Sequence, residues 1–242
     1  MQLEGKVAIV TGGAVRLGRA LALALAYQGV RLALHYGSSE AQAAETIAQI
    51  EAIGGEAFPI QADLSRLEET RTIVPRAAQR FGQVDILVNS AAIFEPGDLS
   101  HTTEENWDRH FAINLKSPFF LSQDFVAHVG RARRGHIVNI ADWRAFRPGT
   151  HYMAYTMTKG ALITMTYSLA LAAAPNIQVN AIAPGMIFPP PGQDQAYLDQ
   201  RAQSIPARRP GSPAEVTKAL LYLLDSDFVT GEVIFVTGGE HL

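Results

Sequence analysis

Short apolar runs alternate with longer stretches of mixed polarity along this chain of 242 residues. The runs are rich in Val, Ile, Leu and Ala, which is typical of strands that are buried on both faces. The longer stretches carry apolar residues at helical spacing. The predicted strands cover residues 6–11, 30–36, 56–62, 84–89, 135–141, 176–183 and 232–237.

The regular alternation of strands and helices predicts βαβ units with right-handed crossovers. The expected fold is a doubly wound α/β Rossmann-type parallel sheet of about seven strands with helices on both faces. No linker or repeat divides the chain, so we expect a single dinucleotide-binding catalytic domain over 1–242. Pro75 is expected to kink the helix that follows residue 65, and Pro118 to bend the helix of 102–129 near Asn114.

The predicted helix at 152–174 contains one charged residue, Lys159, among mainly apolar ones. Its Thr and Ser side chains and the stop at Pro175 favour a buried helix over a membrane span. A helix that is apolar on most faces must be covered on most faces, and the sheet can cover only one. We therefore expect a homo-oligomer.

Composition narrows the possible functions. A hydrophobic content of 48% with 18% charge is typical of a soluble globular protein, and a net charge of −3 does not favour binding to nucleic acid or to an anionic membrane. The absence of cysteine excludes disulfides and thiol catalysis. The seven histidines show no metal-ligand spacing, so no metal site is predicted. The N-terminus shows no targeting leader, and we expect a cytoplasmic protein.

A glycine-rich turn, Thr11 to Gly18, joins the first strand to the first helix. In this context glycines let the backbone approach a pyrophosphate, whose charge is stabilised by the helix N-terminus. A tight turn that merely connects two elements is the alternative.

The end of the second strand favours NADP(H). Folds that bind NAD place an acidic residue there for the ribose 2′-hydroxyl. This chain has none between His35 and Ser39, and Arg16 in the glycine turn offers a cation for a 2′-phosphate. Arg16 could instead form a surface ion pair or contact the substrate.

Three side chains predict a proton-transfer site. Tyr155 and Lys159 lie one helical turn apart, and Asp142 follows the fifth strand, at the sheet edge where ligands bind. An ammonium group near a phenol lowers its pKa from about 10 and makes it a proton donor at neutral pH. A surface pair of Tyr155 and Lys159 is the alternative.

The order and spacing of these motifs resemble the short-chain dehydrogenases/reductases over essentially the whole chain. The resemblance implies that Lys159 holds the nicotinamide ribose and lowers the Tyr155 pKa, that Tyr155 donates the proton, and that Asn114 anchors a relay water. It also favours a tetramer. The implied cofactor contacts are Gly12, Arg16, Leu17, Gly18, His35, Tyr36, Ser38, Asp63, Leu64, Asn89, Ser90, Ala91, Tyr155, Lys159, Pro184, Gly185, Met186 and Ile187.

Two departures from that family pattern point to a subgroup. Arg16 replaces the middle glycine, and Asp142 replaces the catalytic serine. An ionised aspartate only accepts hydrogen bonds and repels a developing oxyanion, so it suits a reacting nitrogen better than a ketone oxygen. Both departures resemble the pteridine reductases, including bacterial dihydromonapterin reductase.

That resemblance implies that Phe94 stacks on a pterin, with Arg16, Phe94, Asp142 and Tyr155 as the substrate contacts. Ser38 departs from it, because several pteridine reductases have an arginine at this position. The stretch 186–210, which is polar after Gly192, is expected to be a substrate loop or lid.

The leading hypothesis is an NADPH-dependent oxidoreductase that reduces a C=N bond of a dihydropterin-type pteridine. The first alternative is a short-chain carbonyl reductase acting on a 3-oxoacyl compound or another ketone. A non-catalytic NADP-binding sensor on the same fold is a remote alternative, since a sensor does not need the Tyr155–Lys159 pair.

Overall fold

A seven-stranded parallel sheet forms the centre of the molecule. The structure is a computed structural model that describes residues 1–190 and 192–242. All seven predicted strands are confirmed, with ends shifted by one or two residues. They are β1 Val7–Val10, β2 Arg31–Tyr36, β3 Ala57–Gln61, β4 Ile86–Asn89, β5 Gly135–Ile140, β6 Ile177–Pro184 and β7 Val233–Val236.

The strand order β3-β2-β1-β4-β5-β6-β7 confirms the doubly wound α/β fold. The chain reverses direction across the sheet between β1 and β4, which are neighbours. In such sheets, ligands bind in the crevice beyond the carboxyl ends of the strands at this reversal. The topology therefore places the ends of β1, β4, β5 and β6 around one cleft.

Helices cover both faces of the sheet. One face packs against α1, α2 and α9, and the other against α4, α6 and α7, each through a separate apolar cluster. The helices are α1 Arg16–Ala26, α2 Glu40–Ala52, α3 Leu67–Thr70, α4 Ile73–Phe81, α5 Glu104–Phe111, α6 Ser117–Val129, α7 Met153–Ala173, α8 Gln195–Ala202 and α9 Pro213–Asp225. A π-helical turn, Ala112–Lys116, joins α5 to α6, and a 3-10 turn, Trp143–Ala145, follows β5.

One helical expectation is corrected and another is refined. Pro75 does not kink a long helix, because α3 ends at Thr70 and Pro75 lies in the first turn of α4, where its missing N–H is not needed. The expected irregularity of the helix of 102–129 near Asn114 takes the form of a π-helical turn, which carries Asn114 and directly precedes the turn that contains Pro118.

Helix α8 was not predicted from its polar sequence. The Asp194 side chain accepts a hydrogen bond from the Tyr197 N–H and caps it, and Leu198 and Ala202 are buried beneath it. Only these two residues give the helix an apolar face. The hydrophobic pattern is therefore too weak to detect without the surface that covers it.

Helix α7 buries the side that carries Tyr155 and Lys159 and exposes apolar residues elsewhere. Met157, Tyr167 and Leu171 are 45%, 44% and 84% exposed. Across the described ranges, no helix combines the length and apolarity needed to cross a membrane. The expectation of a homo-oligomer stays a prediction.

Substitution of Gly18 tests how closely the glycine turn packs against the start of α1. A Cβ atom on Gly18 would lie 2.0 Å from the Gly12 carbonyl oxygen, whereas one on Gly160 in α7 would meet nothing within 4 Å. We expect Gly18→Ala to lower the free energy of unfolding by about 3 kcal/mol, because the contact is with backbone that cannot move away. Gly160→Ala should raise it by roughly 0.5–1 kcal/mol.

Urea unfolding of both variants measures these changes. Equal stabilities of the Gly18→Ala and wild-type proteins would show that the turn is not tightly packed against α1.

Candidate active site

A cavity of about 480 Å³ lies at the carboxyl ends of the central strands. It brings together fourteen of the residues singled out in the sequence, from the glycine turn, the ends of β4, β5 and β6, and α7. These are Gly12, Arg16, Leu17, Gly18, Ser90, Ala91, Phe94, Asp142, Tyr155, Lys159, Pro184, Gly185, Met186 and Ile187. Seven others, described below, do not line it.

The glycine turn and the N-terminus of α1 form the part of the cavity that fits a phosphate group. Gly12 has a φ of +64° and packs on Ala91, and no side chain caps the helix at Val15. The Thr11 hydroxyl accepts hydrogen bonds from the N–H groups of Ser90 and Ala91, at 2.9 and 3.0 Å, which holds this wall in place. Uncapped N–H groups at a helix N-terminus attract an anion.

His35 supports the glycine turn from below and does not face the cavity. Its Nδ1 accepts a hydrogen bond from the Gly12 N–H at 3.1 Å, so Nε2 carries the proton and donates to the Ala62 carbonyl oxygen at 3.0 Å. Burial lowers the pKa of His35 to about 4, which keeps the ring neutral and able to accept. The histidine therefore positions the backbone that forms the phosphate end of the cavity.

The other residues expected near the adenosine end lie outside the cavity lining. Tyr36 is packed in the core, Leu64 is buried, and Ser38 is exposed beyond the end of β2. Asp63 Oδ1 accepts hydrogen bonds from the N–H and the hydroxyl of Ser65, and these bonds lower the pKa of the carboxyl group.

Two asparagines expected at the site are buried in hydrogen-bond networks beside it. Asn89 donates to Asn139 Oδ1 at 2.8 Å. Asn114 accepts from the Ile93 N–H and donates to the Ile93 carbonyl oxygen and to the Thr158 hydroxyl. Asn114 thus ties the segment after β4 to α7 behind Tyr155.

Tyr155, Asp142 and Lys159 converge as the sequence predicted. The Tyr155 hydroxyl donates a hydrogen bond of 2.8 Å to Asp142 Oδ2, and the Lys159 ammonium donates one of 2.6 Å to the Ile140 carbonyl oxygen. Tyr155 and Lys159 are 7% and 3% exposed. The strand end supplies the carboxylate and the helix supplies the phenol and the ammonium.

The electrostatics of this set differ from the sequence expectation. The pKa of Tyr155 is raised well above 10, first by burial and then by the charge and hydrogen bond of Asp142. Burial lowers the pKa of Lys159 to about 8, and Asp142 opposes that shift. The expected lowering of the Tyr155 pKa by Lys159 is therefore not found in the structure, because the spacing of two residues on a helix reveals neither burial nor the phenol's actual partner.

Arg144 and Trp143 were not singled out in the sequence, yet both line the cavity beside Asp142. The Arg144 N–H donates to Asp142 Oδ1 at 2.8 Å, and its guanidinium lies 3.5 Å from the same oxygen. The guanidinium also lies 5.5 Å from the centre of the Phe94 ring and 5.0 Å from that of Trp143. Asp142 is thus held by its own 3-10 turn.

Phe94 forms an aromatic wall. Its ring stacks on Tyr152 with centroids 4.1 Å apart and planes 9° apart, and meets Tyr155 edge-on at 4.7 Å. Tyr152 has a φ of +61°, an uncommon conformation for a bulky residue. The backbone before α7 is strained where it brings Tyr152 against Phe94.

Arg16 joins the glycine turn to the segment after β6. Its φ is +50°, its guanidinium donates to the Pro189 carbonyl oxygen at 2.9 Å, and it lies 5.0 Å from the centre of the Phe188 ring. Of the predicted substrate loop 186–210, residues 186–188, 190, 197, 198 and 201 line the cavity, and residue 191 lies outside the described residues.

Glu240 also lines the cavity, and sequence reasoning missed it. Its Oε2 accepts a hydrogen bond from the Met186 N–H at 3.1 Å. An acidic residue two positions before Leu242 carries no catalytic motif. Only the folding of the tail shows its position.

Similarity to a known protein family shows the class to which the chain belongs. A family model described as Enoyl-(Acyl carrier protein) reductase matches residues 13–241. Together with the parallel sheet, the glycine turn and the Tyr155–Lys159 pair, this match shows that the chain belongs to the short-chain dehydrogenase/reductase family. It is an oxidoreductase of that family.

The names of similar proteins describe different enzymatic activities. The chain is 36% identical to 2-dehydro-3-deoxy-D-gluconate 5-dehydrogenase of Escherichia coli strain K12, covering 98% of this chain and 96% of that enzyme. It is 31% identical to the 3-oxoacyl-[acyl-carrier-protein] reductase FabG of Staphylococcus epidermidis, with 98% and 99% covered. The crystal structure of FolM Alternative dihydrofolate reductase 1 from Brucella suis in complex with NADP matches with a TM-score of 0.94, 34% identity and coverage of 100% and 96%.

The hydrogen bond between Tyr155 and Asp142 leads to a test. Replacing Asp142 with Asn removes one negative charge. That charge contributes to the raised pKa of Tyr155 and opposes the lowering of the Lys159 pKa. We expect one phenol of Asp142→Asn to ionise at a lower pH than in the wild type, as measured by tyrosinate absorbance and assigned with Tyr155→Phe. Asp108→Asn, at an exposed position, is the control. Identical titrations of wild type and Asp142→Asn would contradict the coupling.

Proposed function

We propose that this protein is a pteridine reductase, which uses NADPH to reduce a C=N bond of a dihydropterin-type substrate. The observation that carries the proposal is the carboxylate of Asp142, which accepts the Tyr155 hydrogen bond where the broader family has a serine. A carboxylate next to the proton donor disfavours a developing oxyanion. A ring nitrogen that becomes an N–H has no such conflict, because the carboxylate can accept its hydrogen bond.

The cofactor is NADP(H), which the Brucella suis FolM structure contains. The uncapped N-terminus of α1 and the turn at Gly12 and Gly18 fit a pyrophosphate, and Arg16 offers a cation in the same cavity. When bound, NADPH supplies the hydride that adds to the carbon of the C=N bond. Lys159, beside Tyr155, is positioned to hold the nicotinamide ribose.

Residues of this chain supply the proton that the substrate nitrogen receives. Because the pKa of Tyr155 is raised well above 10, a free tyrosinate is a poor product of proton transfer. The Asp142 carboxylate accepts a hydrogen bond from the same hydroxyl, so it can pass a proton taken up from solvent to Tyr155 after Tyr155 has given its own to the substrate nitrogen. Tyr155 is then the donor and Asp142 the group that restores it.

Flat aromatic and cationic groups around Asp142 favour a flat heterocycle as the substrate. Phe94, Trp143 and the Arg144 guanidinium all line the cavity close to the carboxylate. Such surfaces bind planar rings by stacking. Phe94 is held rigid by Tyr152, which reduces the entropy lost when a ring binds.

Reduction of a ketone is the alternative function, and the named activities of the Escherichia coli and Staphylococcus epidermidis relatives favour it. In that case Asp142 hinders the reaction, and a hydroxyl in its place helps. The two functions thus predict opposite effects of the same substitution.

Asp142→Ser distinguishes the two functions. We expect it to lower kcat/KM for a dihydropterin by about 100-fold or more, because the group that returns a proton to Tyr155 is lost. Parallel assays with NADPH and NADH use a dihydropterin, dihydrobiopterin, a simple ketone and a 3-oxoacyl thioester, with Asp108→Ser as the exposed control.

The opposite pattern would overturn the proposal. Oxidation of NADPH by the wild type with the ketone or the thioester alone, together with retained or increased activity in Asp142→Ser, identifies a carbonyl reductase.

We also propose that the protein is a homotetramer, since α7 exposes an apolar surface that includes Met157, Tyr167 and Leu171. Light scattering should give the mass of four chains for the wild type. Leu171→Glu should yield smaller species, because a charge would be buried in the interface. Tyr27→Glu, at an exposed position at the end of α1, should leave the mass unchanged. A monomeric wild type would contradict the proposal.

A further inference from the structure

The C-terminal tail places a second carboxylate, besides that of Asp142, in the cavity. The proton-transfer chemistry does not use this second carboxylate. Glu240 lies on this tail and is only 8% exposed. Gly238 and Gly239 turn the chain with φ values of +62° and +90°. Without these turns the residue could not point back toward the ends of β5 and β6.

The tail is anchored on both sides of Glu240. The Thr237 hydroxyl accepts from the Gly239 N–H at 3.2 Å and bonds to His241 Nδ1 at 2.7 Å. His241 stacks on Phe235 with centroids 4.1 Å apart, and the Arg147 guanidinium donates to the Leu242 carbonyl oxygen. Glu240 is therefore held in a defined position, as a specificity-determining side chain must be.

The protein accommodates the Glu240 carboxylate beside Gly185 and forms a hydrogen bond to one of its two oxygens. A Cβ atom on Gly185 would lie 2.9 Å from the Thr237 Cα atom, so only glycine fits there, and it would also lie 2.7 Å from Glu240 Oε2. The same oxygen accepts from the Met186 N–H at 3.1 Å. Oε1 receives no hydrogen bond from the described residues and is not sealed from the cavity.

No basic side chain of the described residues forms an ion pair with Glu240. Arg144 and Arg201 line the same cavity. Burial raises the pKa of Glu240, and Arg144 opposes that shift from a distance. An enclosed carboxylate without a counter-ion is costly unless it takes up a proton or a ligand supplies donors.

We propose that Glu240 binds the amino-pyrimidinone edge of the substrate, accepting hydrogen bonds from its ring N–H and its exocyclic amino group. This inference rests on the proposed reduction of a pteridine. Two adjacent N–H donors match the two oxygens of a carboxylate, since Oε1 is open and Oε2 retains a lone pair beside its bond to Met186. Asp142 then serves the reacting nitrogen at the other end of the ring.

Substrate pairs that differ only at this edge test the inference in the wild type. The probes are a dihydropterin and the dihydrolumazine of the same ring substitution, in which a carbonyl oxygen replaces the amino group. We expect kcat/KM to favour the dihydropterin by about 10-fold or more, because the carbonyl oxygen faces a carboxylate and loses a charge-assisted hydrogen bond.

The same two substrates are also compared in the variant Glu240→Gln. An amide oxygen still accepts from the Met186 N–H, so the tail keeps its anchor, while the amide N–H₂ group opposes the donors of the substrate. We expect KM for the dihydropterin to rise by about 10- to 100-fold with a much smaller change in kcat, and the preference over dihydrolumazine to disappear. Glu232→Gln, exposed at the opposite end of β7, should change neither.

The outcomes separate this inference from the proposed function. If the wild type reduces the dihydropterin but shows no preference, or if Glu240→Gln changes KM equally for both probes or for neither, Glu240 only anchors Met186 and the inference is wrong. If the wild type reduces no dihydropterin at all, the proposed function itself fails, and the inference fails with it.

Discussion

The hydrogen bond from Tyr155 to Asp142 is the interaction on which the rest of the site depends. It requires the end of β5 and the start of α7 to bring two side-chain oxygens within 2.8 Å, although the two residues are thirteen positions apart. The 3-10 turn at Trp143–Ala145 and the strained backbone at Tyr152 provide this approach. Burial raises the pKa of the phenol, and the charge and the hydrogen bond of Asp142 raise it further.

Buried polar groups behind the cavity hold its walls in position. His35 supports the glycine turn, Thr11 supports the segment after β4, and Asn114 ties that segment to α7 through Thr158. Each of these groups has its hydrogen bonds satisfied inside the protein, which favours a single arrangement. The cavity is therefore shaped largely by residues that do not touch its contents.

The cavity carries charged side chains of both signs. Two carboxylates, Asp142 and Glu240, line the same space as the guanidinium groups of Arg16, Arg144 and Arg201. Such a site favours a ligand that presents both donors and acceptors around a flat ring. The proposed pteridine has this distribution, with its reacting nitrogen at one end and its amino-pyrimidinone edge at the other.

By itself, the sequence determined the sheet, because buried parallel strands appear as apolar runs whose alternation with helices admits few topologies. It also predicted that Asp142, Tyr155 and Lys159 meet, since Asp142 follows a strand and Tyr155 and Lys159 share a helix face. Only the tertiary structure decided the environment of these groups. Burial reversed the expected shift of the Tyr155 pKa, placed His35 under the glycine turn, and brought Glu240 from the tail into the cavity. These properties depend on contacts between residues far apart in the chain, which no local pattern records.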